Sequence, residues 1–288
     1  MGHNHHHALN AAFWLTAVFA VVELVGGLLA NSLALLADAG HMVSDVAALG
    51  LAMFARRIAQ RPAHAQMTYG YGRAKVLAAQ VNALMLCFLS GWIAWEAVGR
   101  LNNPPEVQGG MVLWIATIGL IINLVIMRWL HGAHDINTRA AYWHVLGDAL
   151  GSVAAIIAGG VILLTGWMPV DPILSFAVAG ILAWGGWRLV RETSLELMEA
   201  VPQDADVETA SQAMQAVEGV VGIHHIHLWR LPAGKLALSA HIQVDHMEIW
   251  TTLLPILIQT LKQQDIEHAT LQPEVVSCSG GCAVSDAT

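Results

Sequence analysis

The chain has 288 residues, 56% hydrophobic and only 12% charged, with 13 Lys and Arg against 21 Asp and Glu for a net charge of -8. With a positive mean hydropathy, this composition excludes an ordinary soluble globular domain and puts most of the chain in a lipid bilayer. Lys and Arg form no dense cluster, which excludes nucleic acid as a partner. Three cysteines, Cys87, Cys278 and Cys282, are too few for a disulfide framework.

The chain opens on His3, His5, His6 and His7, read as a short, mobile, histidine-rich cytoplasmic tail over residues 1–9 that binds metal weakly at most. Crossing the hydrocarbon takes about 20 apolar residues. Runs near 10–30, 33–55, 76–99, 111–130, 140–165 and 172–191 meet that length, predicting six transmembrane helices within a domain over 10–200. The first run has no basic residue before it and is too long for the core of a signal peptide, so it is expected to be retained. Arg56, Arg57, Arg61, Arg73, Lys75, Arg128, Arg139, Arg188 and Arg191 fall in the breaks on one side, against Arg100 alone on the other. That asymmetry predicts cytoplasmic termini. Trp92, Trp95, Trp114, Trp129, Trp167, Trp184 and Trp187 mostly lie toward run ends, as interfacial aromatic belts require.

Two of the apolar runs carry one pattern twice: His41 with Asp45, and His144 with Asp148. Residues four apart on an α-helix project from one face, one turn apart. A lone intramembrane histidine is most simply a hydrogen-bonding residue between helices. An aspartate near the bilayer centre costs about 2.5–3.5 kcal/mol to insert and marks a partner or a water-filled path. The repeated spacing favours a shared site of two imidazoles and two carboxylates, a tetrahedral set suited to Zn²⁺. Asp38 continues the stripe of His41 and Asp45 at i, i+3, i+7 and is expected on the same path, at its mouth or beside the ligands. Glu23 is another costly charge, and Asn82 and Asn123 are expected to hydrogen-bond between helices.

Beyond Val201-Pro202-Gln203-Asp204 a soluble domain over 201–276 is expected. Asp204 or Asp206 caps a helix running to about Glu218, and Val221 to Arg230 and Lys235 to Val244 form a hairpin around Pro232-Ala233-Gly234. A helix over about Trp250 to Gln264 and a short strand at Ala269 to Gln272 complete an α-β-β-α-β, ferredoxin-like order with helices on one face. His224, His225, His227, His241, His246, His268, Glu274, Cys278 and Cys282 make the domain and its tail (277–288) rich in ligand types. His225 and His227 alternate with Ile223 and Trp229 and read as half-buried sheet residues. The Cys278/Cys282 pair, set among Ser and Gly with no core to pack, is the stronger metal signal.

These residues resemble the cation diffusion facilitator family of zinc transporters over nearly the whole chain. The resemblance rests on Ser32 to His41 running into Asp45, Tyr69-Gly70-Tyr71-Gly72-Arg73, His144 to Asp148, His224 to Trp229, and Ser239-Ala240-His241. It implies a homodimer of six-helix subunits in a membrane such as the bacterial inner membrane, exchanging divalent cations for protons by alternating access. The family's transport site falls on His41, Asp45, His144 and Asp148. Members whose first ligand is Asp have broader selectivity, so His41 points to Zn²⁺, with Cd²⁺ and Co²⁺ as alternative substrates. The cytoplasmic ligands fall on His224 and His241 and extend to Glu274, Cys278 and Cys282, with His5, His6 or His7 reaching over from a neighbouring subunit. Some members bind a further zinc between helices two and three; there the matching stretch has only His64 as a strong ligand, so that site is expected to be absent. His131, His134 and Asp135 are expected in a solvated loop.

Imidazole binds metal only when neutral and carboxylate only when ionised, so protons and Zn²⁺ are expected to compete for the same four residues and a proton gradient to drive zinc outward. An intramembrane zinc hydrolase would need His-Glu-x-x-His and a carboxylate free to act as base, and neither motif has it. The chain is therefore not expected to be an enzyme. A membrane-anchored zinc sensor would explain the cytoplasmic ligands but not the intramembrane carboxylates.

Overall fold

A computed structural model describes the backbone of residues 2–130, 136–231 and 234–275, and side chains within 14–129, 145–231 and 234–275. The long helices are α1 (Gly2–Ala30), α2 (Leu33–Ala59), α3 (Ala74–Asn102), α4 (Gly109–Leu130), α5 (Ile136–Thr165) and α6 (Val170–Leu197). Among the described residues, those of α2 to α6 are long and apolar enough to cross a membrane, and Trp14–Ala30 of α1 forms a shorter apolar helix. The histidine-rich opening differs from expectation: its backbone is helical and continuous with the first apolar run. His, Ala and Leu carry no signal that would stop a helix between Gly2 and Trp14.

The structure divides into two compact units, residues up to Phe54 with Ala78–Val190, and Ala55–Leu77 with the chain from Arg191 onward. The second unit thus takes in the ends of α2 and α3 and the loop between them, earlier in the chain than the boundary expected near residue 200.

In the first unit, the corner between α1 and α2 is made at Asn31, whose φ of 54 is left-handed, followed by Ser32. The amide groups that open α2 have no partners within the helix, and Asp171 at the start of α6 supplies them. Leu33 N–H and Ala34 N–H donate to its Oδ2 and Oδ1 at 2.8 and 3.3 Å, and Ser32 Oγ donates to Oδ1 at 2.6 Å. Asp171 is fully buried, so this clasp holds in place the helix that carries Asp38, His41 and Asp45. Helices α4 and α5 meet backbone to backbone at Gly159, where a Cβ would stand 2.8 Å from Leu113 N and 2.9 Å from Gly109 O. Asn123 Nδ2 on α4 donates to Ser152 Oγ on α5 at 3.5 Å, the inter-helix bond expected of it. Asn82 departs from expectation, since its buried Oδ1 meets no donor.

In the second unit, α7 (Val207–Gln215), β1 (Gly222–Arg230), β2 (Leu236–Val244), a 3₁₀ turn (Met247–Ile249), α8 (Trp250–Lys262) and β3 (Ile266–Val275) follow in the expected order. Asp206 is the cap of α7, accepting from Glu208 N–H and Thr209 N–H. The sheet has order β1-β2-β3, antiparallel then parallel, with β3 longer than the short strand expected because it pairs along the whole of β2. Leu238, Ala240, Ile242 and Val244 face α7 and α8, packing on Ala210, Met214, Leu253, Leu257 and Leu261. Each fully buried leucine contributes about 1.5–3 kcal/mol. The other face of β2 carries Ser239, His241 and Gln243 away from that core.

The Tyr69 to Arg73 motif packs within this same unit. Tyr71 Oη lies 2.8 Å from His64 Nε2, and Arg73 Nη2 donates to Glu199 Oε1 at 2.6 Å.

Candidate metal centres

The helix α2 places His41 and Asp45 on one face as their spacing requires, with His41 Nε2 3.6 Å from Asp45 Oδ2. From α5, Asp148 Oδ1 reaches to 3.9 Å of the same nitrogen. Both distances exceed the 2.7–3.2 Å of an ordinary N–H···O bond. They approach the separation of donor atoms around a tetrahedral Zn²⁺, about 3.3–3.5 Å for bonds of about 2.0–2.2 Å. His144 lies on α5, but its side chain is outside the described residues.

Around this trio the carboxylates are buried in apolar helices. Asp148 is 3% exposed, Asp38 8% and Glu23 1%. Asp38 sits against Gly151 of α5, where a Cβ would come 3.1 Å from its Oδ1, so glycine there lets α2 carry a carboxylate up to α5. Glu23 lies against Gly119 of α4 and has no hydrogen-bond partner for either oxygen. Such groups cost about 2.5–3.5 kcal/mol each to insert, which a purely structural role does not return.

The second cluster is built on the sheet of the other unit. His224 of β1 and His241 of β2 are directly paired across the ladder, hence on one face. Glu274 of β3 sends Oε1 to 2.6 Å of His241 Nδ1 and Oε2 to 3.0 Å of His224 Nε2. Gln272 Nε2 donates to Glu274 Oε1 at 3.2 Å and orients the carboxylate. Among the described residues, His224, His241 and Glu274 form the group whose donor atoms all lie within 4.8 Å of one another. Two imidazoles and a carboxylate, half-exposed and convergent, are a donor set that fits Zn²⁺.

The half-buried setting expected of His225 and His227, alternating with Ile223 and Trp229, does not hold, since both histidines are exposed. A bulge between His224 and His227 breaks the register, with His225 at φ 49. Ile223 and Ile226 both pack on the core, so the residues between them share the opposite face. Cys278 and Cys282 and the loop residues His131, His134 and Asp135 lie outside the described residues, as do the side chains of His5, His6 and His7. Sequence reasoning missed the Asp171 clasp, because no local pattern around Ser32 names an acceptor 139 residues away.

Two family models cover the chain in succession: the cation efflux transmembrane domain over residues 9–198 and the cytoplasmic domain of cation efflux proteins over 202–274. The chain is 45% identical to the zinc transporter ZitB of Pectobacterium atrosepticum, across 96% of this chain and 90% of that one. It is 40% identical to ZitB of Escherichia coli, across 97% and 95%. It is 36% identical to the cadmium, cobalt and zinc/H(+)-K(+) antiporter of Bacillus subtilis, across 95% and 92%. A solved metal-bound C-terminal domain of the CzcD transporter is 33% identical over 24% of this chain and 99% of its own, with a TM-score of 0.23. The chain is a member of the cation efflux, or cation diffusion facilitator, family of membrane transporters.

Proposed function

We propose that this protein exports Zn²⁺ from the cytoplasm in exchange for protons, through a site made of His41, Asp45, His144 and Asp148. The observation that carries this reading is one imidazole nitrogen set 3.6 and 3.9 Å from carboxylates of two different helices inside apolar spans. The relatives named zinc transporters, 45% and 40% identical, support zinc as the substrate, and the antiporter from Bacillus subtilis supports exchange and extends the substrates to Cd²⁺ and Co²⁺.

The chemistry follows from the donor set. Neutral imidazole and ionised carboxylate take Zn²⁺; their protonated forms release it. Protons arriving from outside displace the metal, and exposure to the near-neutral cytoplasm restores the empty site. Rocking of α2 and α5 against the other helices exposes the site alternately to the two sides. Asp38 and Glu23 line the same carboxylate-rich interior, and Asp38 serves as an access group for the ion. Both termini are cytoplasmic, as the Lys and Arg bias requires, in a bacterial inner membrane.

The cytoplasmic cluster of His224, His241 and Glu274, with Cys278 and Cys282, holds zinc as a structural and regulatory ligand. A resident ion there supplies cross-linking charge between strands, and the domain pairs with its copy in a homodimer. A sensor without transport would leave three buried intramembrane carboxylates, Glu23, Asp38 and Asp148, with no task.

The deciding experiment is Zn²⁺ flux into proteoliposomes with and without an imposed pH gradient. Flux that needs the gradient is expected. Flux undiminished when the gradient is collapsed, at equal metal gradient, would make the protein a passive facilitator.

A further inference from the structure

We propose that His225 is the fourth ligand of the cytoplasmic site, so that the folded sheet supplies a complete three-imidazole, one-carboxylate centre for Zn²⁺ without a donor from the C-terminal tail. The inference rests on the reading of His224, His241 and Glu274 as a zinc site.

The geometry of the three rings carries it. Ring centroids are 5.3 Å apart for His224 and His225, 5.2 Å for His225 and His241, and 5.2 Å for His224 and His241. Imidazoles bound to one ion stand about this far apart; the donor atoms of His224, His241 and Glu274 already lie within 4.8 Å of one another, and the exposed ring of His225 would turn to bring a nitrogen into that group. Glu274, bridging His224 and His241 at 3.0 and 2.6 Å, supplies the carboxylate. The residues border a single concavity of about 400 Å³.

The backbone explains how neighbours in a strand reach one site. In a regular strand His224 and His225 would point to opposite faces. Here the bulge inserts one residue, and Ile226 returns to the core face that Ile223 also occupies. His225 takes up the extra step with φ 49, a left-handed conformation uncommon outside glycine. A bulge needing only a turn would be better served by glycine; the imidazole in that position stands with its ring 5.3 and 5.2 Å from those of His224 and His241. Three imidazoles and a carboxylate fill the four positions of a closed structural zinc site. Cys278 and Cys282 then serve a second zinc ion rather than this one.

The test uses the full-length protein in detergent, with Asp45→Ala and Asp148→Ala to silence the membrane site and Cys278→Ser and Cys282→Ser to remove thiolates. Zn²⁺ affinity is read by chelator competition, coordination by the visible spectrum of bound Co²⁺, and stability by thermal melting of the metal-free protein. His225→Gly fits φ 49 without strain, so a merely structural histidine would be replaced at no loss. The expected result is Zn²⁺ affinity lowered at least ~10-fold, weakening of the intense tetrahedral Co²⁺ bands, and an unchanged or raised metal-free Tm. His241→Ala serves as the reference and is expected to abolish the site. If His225→Gly leaves affinity and spectrum unchanged while His241→Ala removes them, His225 is not a ligand and the inference falls alone. If neither substitution changes binding, the cytoplasmic site itself is misassigned and both readings fall. A metal-free Tm lowered together with affinity by His225→Gly assigns the histidine to the fold and also overturns the inference.

Discussion

The two candidate metal-binding clusters of this protein use the same residue types at different spacings. Within the membrane helices, His41 Nε2 stands 3.6 and 3.9 Å from Asp45 and Asp148, about one ion's coordination sphere away. On the cytoplasmic sheet, Glu274 already touches His241 and His224 at 2.6 and 3.0 Å, at hydrogen-bond length, with Gln272 orienting it. The difference follows from the scaffold. Helices α2 and α5 meet side by side through small residues such as Gly151, with no ladder of hydrogen bonds between them, whereas strands joined by ladder hydrogen bonds keep their side chains in register. A cluster on movable elements suits an ion that is picked up and released; a cluster on a rigid sheet suits an ion that stays.

The strongest way to break this comparison is Asp148→Ala. Proteoliposome Zn²⁺ flux is expected to fall to the level of empty vesicles while the protein still inserts and assembles, because a costly intramembrane charge has been removed. Normal flux would take Asp148 out of the transport site. Next in size is Asp171→Ala, which touches no proposed ligand. Leaving the buried amides of Leu33 and Ala34 and the hydroxyl of Ser32 without an acceptor should destabilise the protein by about 1–3 kcal/mol for each unsatisfied group. A drop in Tm with reduced flux is expected, and an unchanged Tm would mean that α2 is positioned by other contacts.

Cys278→Ser combined with Cys282→Ser sharpens the comparison from the other side. Zinc content should fall while transport persists, slower but measurable. A double mutant as inactive as Asp148→Ala despite normal assembly would end the division between a transport site and a resident one. The smallest effect concerns Asp206, the cap of α7. The Thr209 hydroxyl, then the Thr209 and Glu208 amides, hold its carboxyl below the usual carboxylate range. Because the folded value is the lower, its stabilisation is complete above the unfolded value of about 3.9 and fades as pH falls through the folded one. Asp206→Ala should lower the Tm of the cytoplasmic unfolding transition by a few degrees at neutral pH, the gap closing as the pH falls below the usual carboxylate range. A gap independent of pH would show that the cap works without its charge.

Much of the architecture was legible from local pattern. Apolar run length sets helix number, and the His-x-x-x-Asp repeat sets which faces carry ligands, because helical periodicity is local and needs no knowledge of the rest of the chain. The α-β-β-α-β order followed from alternation and turn residues in the same way, and the family models confirm both halves. What alternation could not reveal is where it stops. The bulge at His225 inverts the face of one residue, and a strand pattern read with a fixed period of two assigns that residue to the wrong surroundings.

The sequence by itself determined the membrane spans, the shared face of His41 and Asp45, and the candidate ligands of the sheet, since each depends on residues a turn or a strand apart. Only the tertiary structure decided that Asp148 of α5 comes within 3.9 Å of His41 of α2, that Asp171 caps a helix beginning 138 residues earlier, and that His224 and His241 meet over the carboxylate of Glu274. The physical reason is that close approach between distant segments is set by packing at small residues such as Gly151 and Gly159 and by strand register. No local spacing records either.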